Sequence, residues 1–122
     1  MAPTFAPGKI SYLQLPAVDV EEAAAFYVTV FGWHLRRHES GKVSFDDGVG
    51  EVSGHWETGL PPADRPGLLV HVLVRDVAAT LEAVVAAGGR VVEAAHGEPP
   101  EIHALFADPT GNVLGLFAQG GW

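Results

Sequence analysis

Two stretches of the chain share one order of hydrophobic and polar positions. In the first, residues 10–15 form a short run rich in Tyr, Ile and Leu, which predicts a strand ended by Pro16. Ala23, Phe26, Tyr27, Val30 and Phe31 then recur at helical spacing and make one apolar face. Asp19 stands where an N-cap belongs, and Glu22 completes a capping-box spacing. Gly32 supplies the C-terminal stop. Strands are expected at about 33–38, 42–45 and 49–57, with turns at Ser40-Gly41 and Asp46-Asp47-Gly48.

The second stretch repeats that order. Residues 68–74 predict a strand. Asp76 caps a helix whose apolar face includes Val77, Leu81, Val84 and Val85, and Gly88-Gly89 ends it. Strands follow near 90–94, 102–107 and 113–117, the last two joined by the turn Asp108-Pro109-Thr110-Gly111-Asn112. Asp19 corresponds to Asp76, roughly half a chain further on. Residues 58–67, with three Pro and two Gly, connect the halves.

This pattern predicts the α+β class: two βαβββ modules in one chain, with curved mixed sheets enclosing a cleft and the helices outside. The expected layout is a single domain over 1–122, with modules at 9–57 and 68–118 and a linker at 58–67. A cleft between sheets is a natural small-molecule site.

Composition narrows the function. At 122 residues the chain is one domain in size, and 48% hydrophobic residues exclude disorder. Cys is absent, which removes disulfides, thiolate catalysis, zinc fingers and iron–sulfur clusters. The net charge of −8 argues against nucleic acid, since phosphate neutralisation needs clustered Lys and Arg. No apolar run reaches membrane-spanning length and the N-terminal stretch lacks a targeting pattern, so no membrane partner and a cytoplasmic location are expected. The Gly residues form neither a dinucleotide fingerprint nor a P-loop, and no Ser stands in a G-x-S-x-G setting.

Strand alternation selects candidate site residues. Leu13 and Leu15 point one way, Tyr12 and Gln14 the other. Val70, Val72 and Val74 oppose Leu69, His71 and Leu73; Leu114 and Leu116 oppose Gly115 and Phe117. The mixed faces suit a cleft, which His103 and the pair His55-Trp56 join as further candidates. Gly115 leaves room there for a ligand. His34 and His38, beside Arg36 and Arg37, read as solvated surface, and His96 as part of a loop. Phe26, Tyr27 and Phe31 read as core. Glu51, Glu57, Glu93, Glu98 and Glu101 read as solvated charges, with attraction of a cationic ligand as the functional alternative.

Three motifs carry a resemblance. They are D-x6-FY-x3-FGW (Asp19, Phe26-Tyr27, Phe31-Gly32-Trp33), V-x-DV-x10-GG (Val74, Asp76-Val77, Gly88-Gly89) and DPTGN-x2-G (Asp108 to Gly115). In this order, on a βαβββ repeat, the chain resembles the vicinal oxygen chelate superfamily, also called the glyoxalase/bleomycin-resistance/dioxygenase family. The resemblance covers residues 9 to 118. It implies a homodimer and, in the family's enzymes, a divalent metal held by His and Glu from four strands. Here the corresponding positions are Tyr12, Leu69, Gly115 and either Ser53 or His55. Leu69 and Gly115 offer no side-chain donor, so the usual metal is not expected.

The expected function is therefore a metal-free binding protein that sequesters a drug or natural product in an aromatic-lined cleft. Its ligand-binding set is Tyr12, Gln14, His55, Trp56, Leu69, His71, Leu73, His103, Gly115 and Phe117. The alternative is an enzyme of the same superfamily. It would use Tyr12 or His71 for acid–base catalysis, or a divalent metal on atypical ligands such as His55, His71 and His103. A third reading is a partner-binding module without small-molecule function.

Overall fold

The structure, a computed structural model, describes residues 3–122. Met1 and Ala2, which the expected domain and the N-terminal reading include, lie outside them. The capping signals act as their spacing predicts. Asp19 is extended (φ −127°, ψ 109°) and its carboxylate accepts the Glu22 N–H at 3.0 Å, opening helix α1, Val20–Phe31. Gly32 closes α1 in the left-handed region at φ 70°, its N–H donating to the Val28 carbonyl. Asp76 is likewise extended and accepts the Ala79 N–H at 3.0 Å, opening helix α2, Val77–Ala86.

The strands are β1 (Tyr12–Pro16), β2 (His34–Arg37), β3 (Val43–Asp46), β4 (Ser53–Glu57), β5 (His71–Leu73), β6 (Arg90–Glu98), β7 (Glu101–Ala107) and β8 (Val113–Ala118). The chain divides into two compact units, one ending at Pro61 and the other running from Pro62 to Trp122. The first sheet has the order β1-β4-β3-β2 and the second β5-β8-β7-β6. In each, the first strand of the unit pairs in parallel with the last, and the other pairs are antiparallel. The two units thus share one βαβββ topology, in the α+β class, and each helix packs on its own sheet.

Each core lies between a helix and one face of its sheet. In the first unit Leu15, Phe45 and Trp56 turn toward α1 and meet Phe26 and Tyr27. Trp33 is sandwiched there, stacked on Tyr27 at 4.7 Å and on Phe45 at 4.6 Å. Burying each such ring contributes roughly 1.5–3 kcal/mol, so this aromatic stack dominates the unit's packing. The second core is mainly aliphatic, built from Val77, Leu81, Val84, Leu114 and Leu116 around Phe106.

Several boundaries differ from expectation, each for a local reason. The strand expected at 49–57 begins only at Ser53. The Asp47 carboxylate accepts the N–H groups of Glu51 and Val52 and bends that segment into a turn. The strand expected at 68–74 shortens to His71–Leu73, though the Gly115 N–H still reaches the Val70 carbonyl at 2.8 Å. β6 runs past 94 to Glu98, because Gly97 and Glu98 pair with Ile102 and Glu101. His96 therefore lies on a strand, not in a loop. Val85, expected on the apolar face of α2, is exposed; helical geometry places it beside Val84 but off the buried stripe.

Candidate functional site

The face of each sheet that turns away from its helix carries the candidate chemistry. In the first unit, β1 and β4 run parallel with Tyr12 beside Ser53 and Gln14 beside His55. β3 places Ser44 beside His55 and Asp46 beside Ser53. Alternation therefore brings Tyr12, Gln14, Ser44, Asp46, Ser53, His55 and Glu57 onto one face.

Their side chains form two connected groups. The Tyr12 hydroxyl lies 2.6 Å from His55 Nδ1, and His55 Nε2 lies 3.0 Å from a Glu57 carboxylate oxygen. The imidazole is well shielded, its side chain 13% exposed, whereas Tyr12 is 47% exposed. The second group centres on Asp46. It accepts the Ser53 hydroxyl at 2.7 Å and a two-pronged contact from Arg36 at 3.0 and 3.1 Å. The Ser53 hydroxyl, and after it the Arg36 guanidinium, hold the Asp46 carboxyl below the usual carboxylate value against the opposing effect of burial.

A carboxyl whose folded pKa is depressed adds stability above its unfolded value, and that stability is lost as pH falls through the folded value. Removing the hydroxyl with Ser53→Ala is expected to move the Asp46 titration upward, toward the ordinary aspartate range. Carbon-detected NMR of the carboxyl across an acid titration reads this directly. An unmoved midpoint means that Arg36 alone sets it.

A pocket of about 400 Å3 opens at the end of the same sheet, lined by Val20, Glu21, Lys42, His55, Trp56 and Glu57 among others. Trp56, expected among the ligand contacts, is 3% exposed and turns into the core against Phe45 and Tyr27. Its neighbour His55 occupies the open face, so strand alternation sends Trp56 to the other side. The Trp56 indole N–H is buried with no acceptor among the described residues.

In the second unit, β5 and β8 place His71 beside Gly115 and Leu73 beside Phe117, and β7 places His103 beside Phe117. A side chain at position 115 would collide with the His71 ring, which fills the space left by the missing Cβ. The room expected for a ligand at Gly115 is thus taken by an imidazole. The His103 ring meets Phe117 at 4.8 Å, His71 at 6.5 Å and His96 at 5.8 Å, and His96 pairs with Glu93 at 2.8 Å. Leu69 precedes β5 and is 39% exposed.

The metal positions implied by the resemblance do not fit a metal. Tyr12 is bonded to His55, Leu69 has no donor, and the space at Gly115 is filled by His71. His55 belongs to the first unit, while His71 and His103 belong to the second. Among the described residues, no three His, Asp or Glu side chains group so as to hold a metal ion.

Sequence reasoning missed the roles of Glu57 and His96 and the pairing of Ser53, already a candidate position, with Asp46 and Arg36. Glu51, Glu57 and Glu93, read as solvated charges, all have partners: Glu51 binds Thr4 and Lys9. The neighbouring arginines pair as well, Arg36 with Asp46 and Arg37 with Glu21. His38 reaches the Ser44 hydroxyl at 2.9 Å. A usable signal was the spacing of His55 and Glu57, two apart on one strand and so on one face.

Comparison with known proteins agrees with this architecture. Residues 13–117 match the glyoxalase-like domain family. A "Glyoxylase-like domain-containing protein" of Didymella fabae is 28% identical over 93% of this chain and 96% of its own. Hypothetical protein SA1046 from S. aureus superposes with TM-score 0.74 over 93% of this chain and 95% of that one, at 17% identity. TnmS3, an antibiotic binding protein from Streptomyces sp. CB03234, superposes with TM-score 0.68 over 97% of this chain and 100% of that one, at 26% identity.

Proposed function

Because the chain belongs to the glyoxalase-like domain family of the vicinal oxygen chelate superfamily, we propose that it is a small-molecule binding protein that works without the family's usual metal. Its ligand would be a drug or natural product, held on the open sheet faces and sequestered rather than transformed. The observation that carries this reading is the exposed Tyr12 phenol, held in place by a shielded imidazole on the open face of the sheet. Such a preorganised group gives orientation at little entropic cost. The imidazole and Phe117 surface of the second sheet supplies flat area for stacking. Likeness to an antibiotic binding protein supports the same direction. In this reading the open face of the first sheet offers Tyr12, Gln14 and His55 as ligand contacts, and the open face of the second, taken by itself, offers His71, Leu73, His103 and Phe117. One domain over 1–122, a homodimer and a cytoplasmic location complete the proposal; among the described residues no helix is long and apolar enough to cross a membrane.

The test is a thermal-shift screen of EDTA-treated protein against a panel of aromatic natural products and antibiotics, with each hit recovered and analysed by mass spectrometry. At least one compound is expected to raise the melting midpoint by several degrees, to return unchanged, and to bind more weakly to Tyr12→Phe. No hit across the panel sinks the binding reading. A hit returned chemically altered favours a second reading, acid–base catalysis at Tyr12. The Glu57–His55–Tyr12 order gives that reading its support, since a carboxylate, an imidazole and a hydroxyl in sequence can move a proton.

A further inference from the structure

The Tyr12 hydroxyl has one proton to donate, and the geometry decides where it goes. Glu57 is a carboxylate and accepts only, so the 3.0 Å contact to His55 Nε2 requires a proton on Nε2. In a neutral imidazole that leaves Nδ1 as an acceptor. The group 2.6 Å from Nδ1 is the Tyr12 hydroxyl, which must then donate its proton inward. What Tyr12 turns outward, from its 47% exposed side chain, is oxygen lone pairs alone. Glu57 thus acts on the ligand face through two hydrogen bonds, by choosing the tautomer of His55.

We infer that Tyr12 is a dedicated hydrogen-bond acceptor for ligand, and that the site selects compounds presenting a hydroxyl or N–H at that point over those presenting only an acceptor. This rests on the small-molecule reading and deepens it. The relay is preserved by its surroundings. Gln14 flanks His55 on β1 and Ser44 on β3, while the His38 imidazole is engaged by Ser44 and the Asp46 carboxylate by Ser53 and Arg36. Glu21 and Lys42 share the pocket wall with His55 and Glu57, and Glu21 is bonded to Arg37. No described donor other than Tyr12 is bonded to Nδ1.

Two measurements test this on the full chain at about pH 8, above the ordinary imidazole range. The first needs no ligand. Long-range proton–nitrogen NMR is expected to show His55 protonated at Nε2 and bare at Nδ1; a neutral Nδ1–H form overturns the inference. The second compares 2-naphthol with 2-methoxynaphthalene, which differ by loss of the donor proton. One hydrogen bond predicts binding of the naphthol about 3–10-fold tighter, and a ratio near one in Tyr12→Phe. Equal binding of the two probes, or a ratio that Tyr12→Phe leaves intact, overturns the inference. If the tautomer stands and neither probe binds at millimolar concentration, the ligand half falls, whereas the small-molecule reading is judged separately by the panel. Phe at an exposed position preserves the ring, so the variant is expected to fold.

Discussion

Replacing Gly54 with alanine is expected to cost the first unit about 3 kcal/mol, the upper part of the range for overpacked sites. Gly54 sits in the middle of β4, between Ser53 and His55, with no side chain to displace. A Cβ built there strikes the Leu13 carbonyl oxygen of β1 and the ring of Phe45, whose Cε2 would lie 2.7 Å away. Neither can yield cheaply. The carbonyl belongs to the parallel β1–β4 ladder, and Phe45 is fully buried between Trp33 and Trp56. The alanine also loosens the site, because the β1–β4 approach is what brings the Tyr12 hydroxyl to His55. A fall in the melting midpoint of roughly 10 °C or more is expected for a chain of this size. Calorimetry measures it, and a midpoint within about 2 °C of the parent shows that β1 can move away without loss.

A comparable loss, about 3 kcal/mol, is expected for Asp108→Ala in the second unit. Asp108 is only 3% exposed, yet its charge is well supported. One carboxylate oxygen accepts the N–H groups of Thr110, Gly111 and Asn112, each at 3.0 Å, and the other accepts the Asn112 side-chain amide at 2.9 Å. Asn112 in turn accepts the Ala63 N–H at 2.8 Å, tying the segment before β5 to the β7–β8 turn. Alanine removes the acceptor and leaves several donors near or inside the core. Asp108→Asn separates charge from geometry. Its oxygen still serves the three N–H groups, but its amide opposes the Asn112 amide, so an intermediate loss of about 1–2 kcal/mol is expected. Urea unfolding of the two variants supplies the values. Equal losses assign the effect to charge, and a loss below about 0.5 kcal/mol for alanine means that water replaces the carboxylate.

These two positions show different degrees of legibility. The turn at 108–112 could be read directly, because Asp, Pro, Gly and Asn at those offsets are chemically suited to a tight turn. Gly54 could not. Its importance comes from Leu13 on a strand far earlier in the chain and from a ring on a third strand, contacts that no local pattern encodes. The same contrast runs through the site. That Tyr12 and Gln14 share a face, opposite Leu13 and Leu15, follows from the period of two. That the phenol reaches His55 depends on β1 pairing with β4 rather than with its nearest neighbour in sequence. His71 was legible as a polar interruption in an apolar strand, but its occupation of the gap at Gly115 was not, because side-chain direction is settled only when the strands pair.

By itself, the sequence determined the twofold βαβββ order, the helix caps at Asp19 and Asp76, the α+β class and the family. The family rests on the resemblance of three motifs, and the others on local spacing: capping offsets, helical and strand periods, and turn residues act over a few positions and survive in the linear chain. Only the tertiary structure decided that the Trp56 ring packs into the core, that His96 joins a strand, and that Glu57, His55 and Tyr12 form a connected chain of hydrogen bonds. Those outcomes depend on register and on partners distant in sequence. A hydrogen bond is decided within a few tenths of an ångström, a precision that residue order does not carry until the strands are side by side.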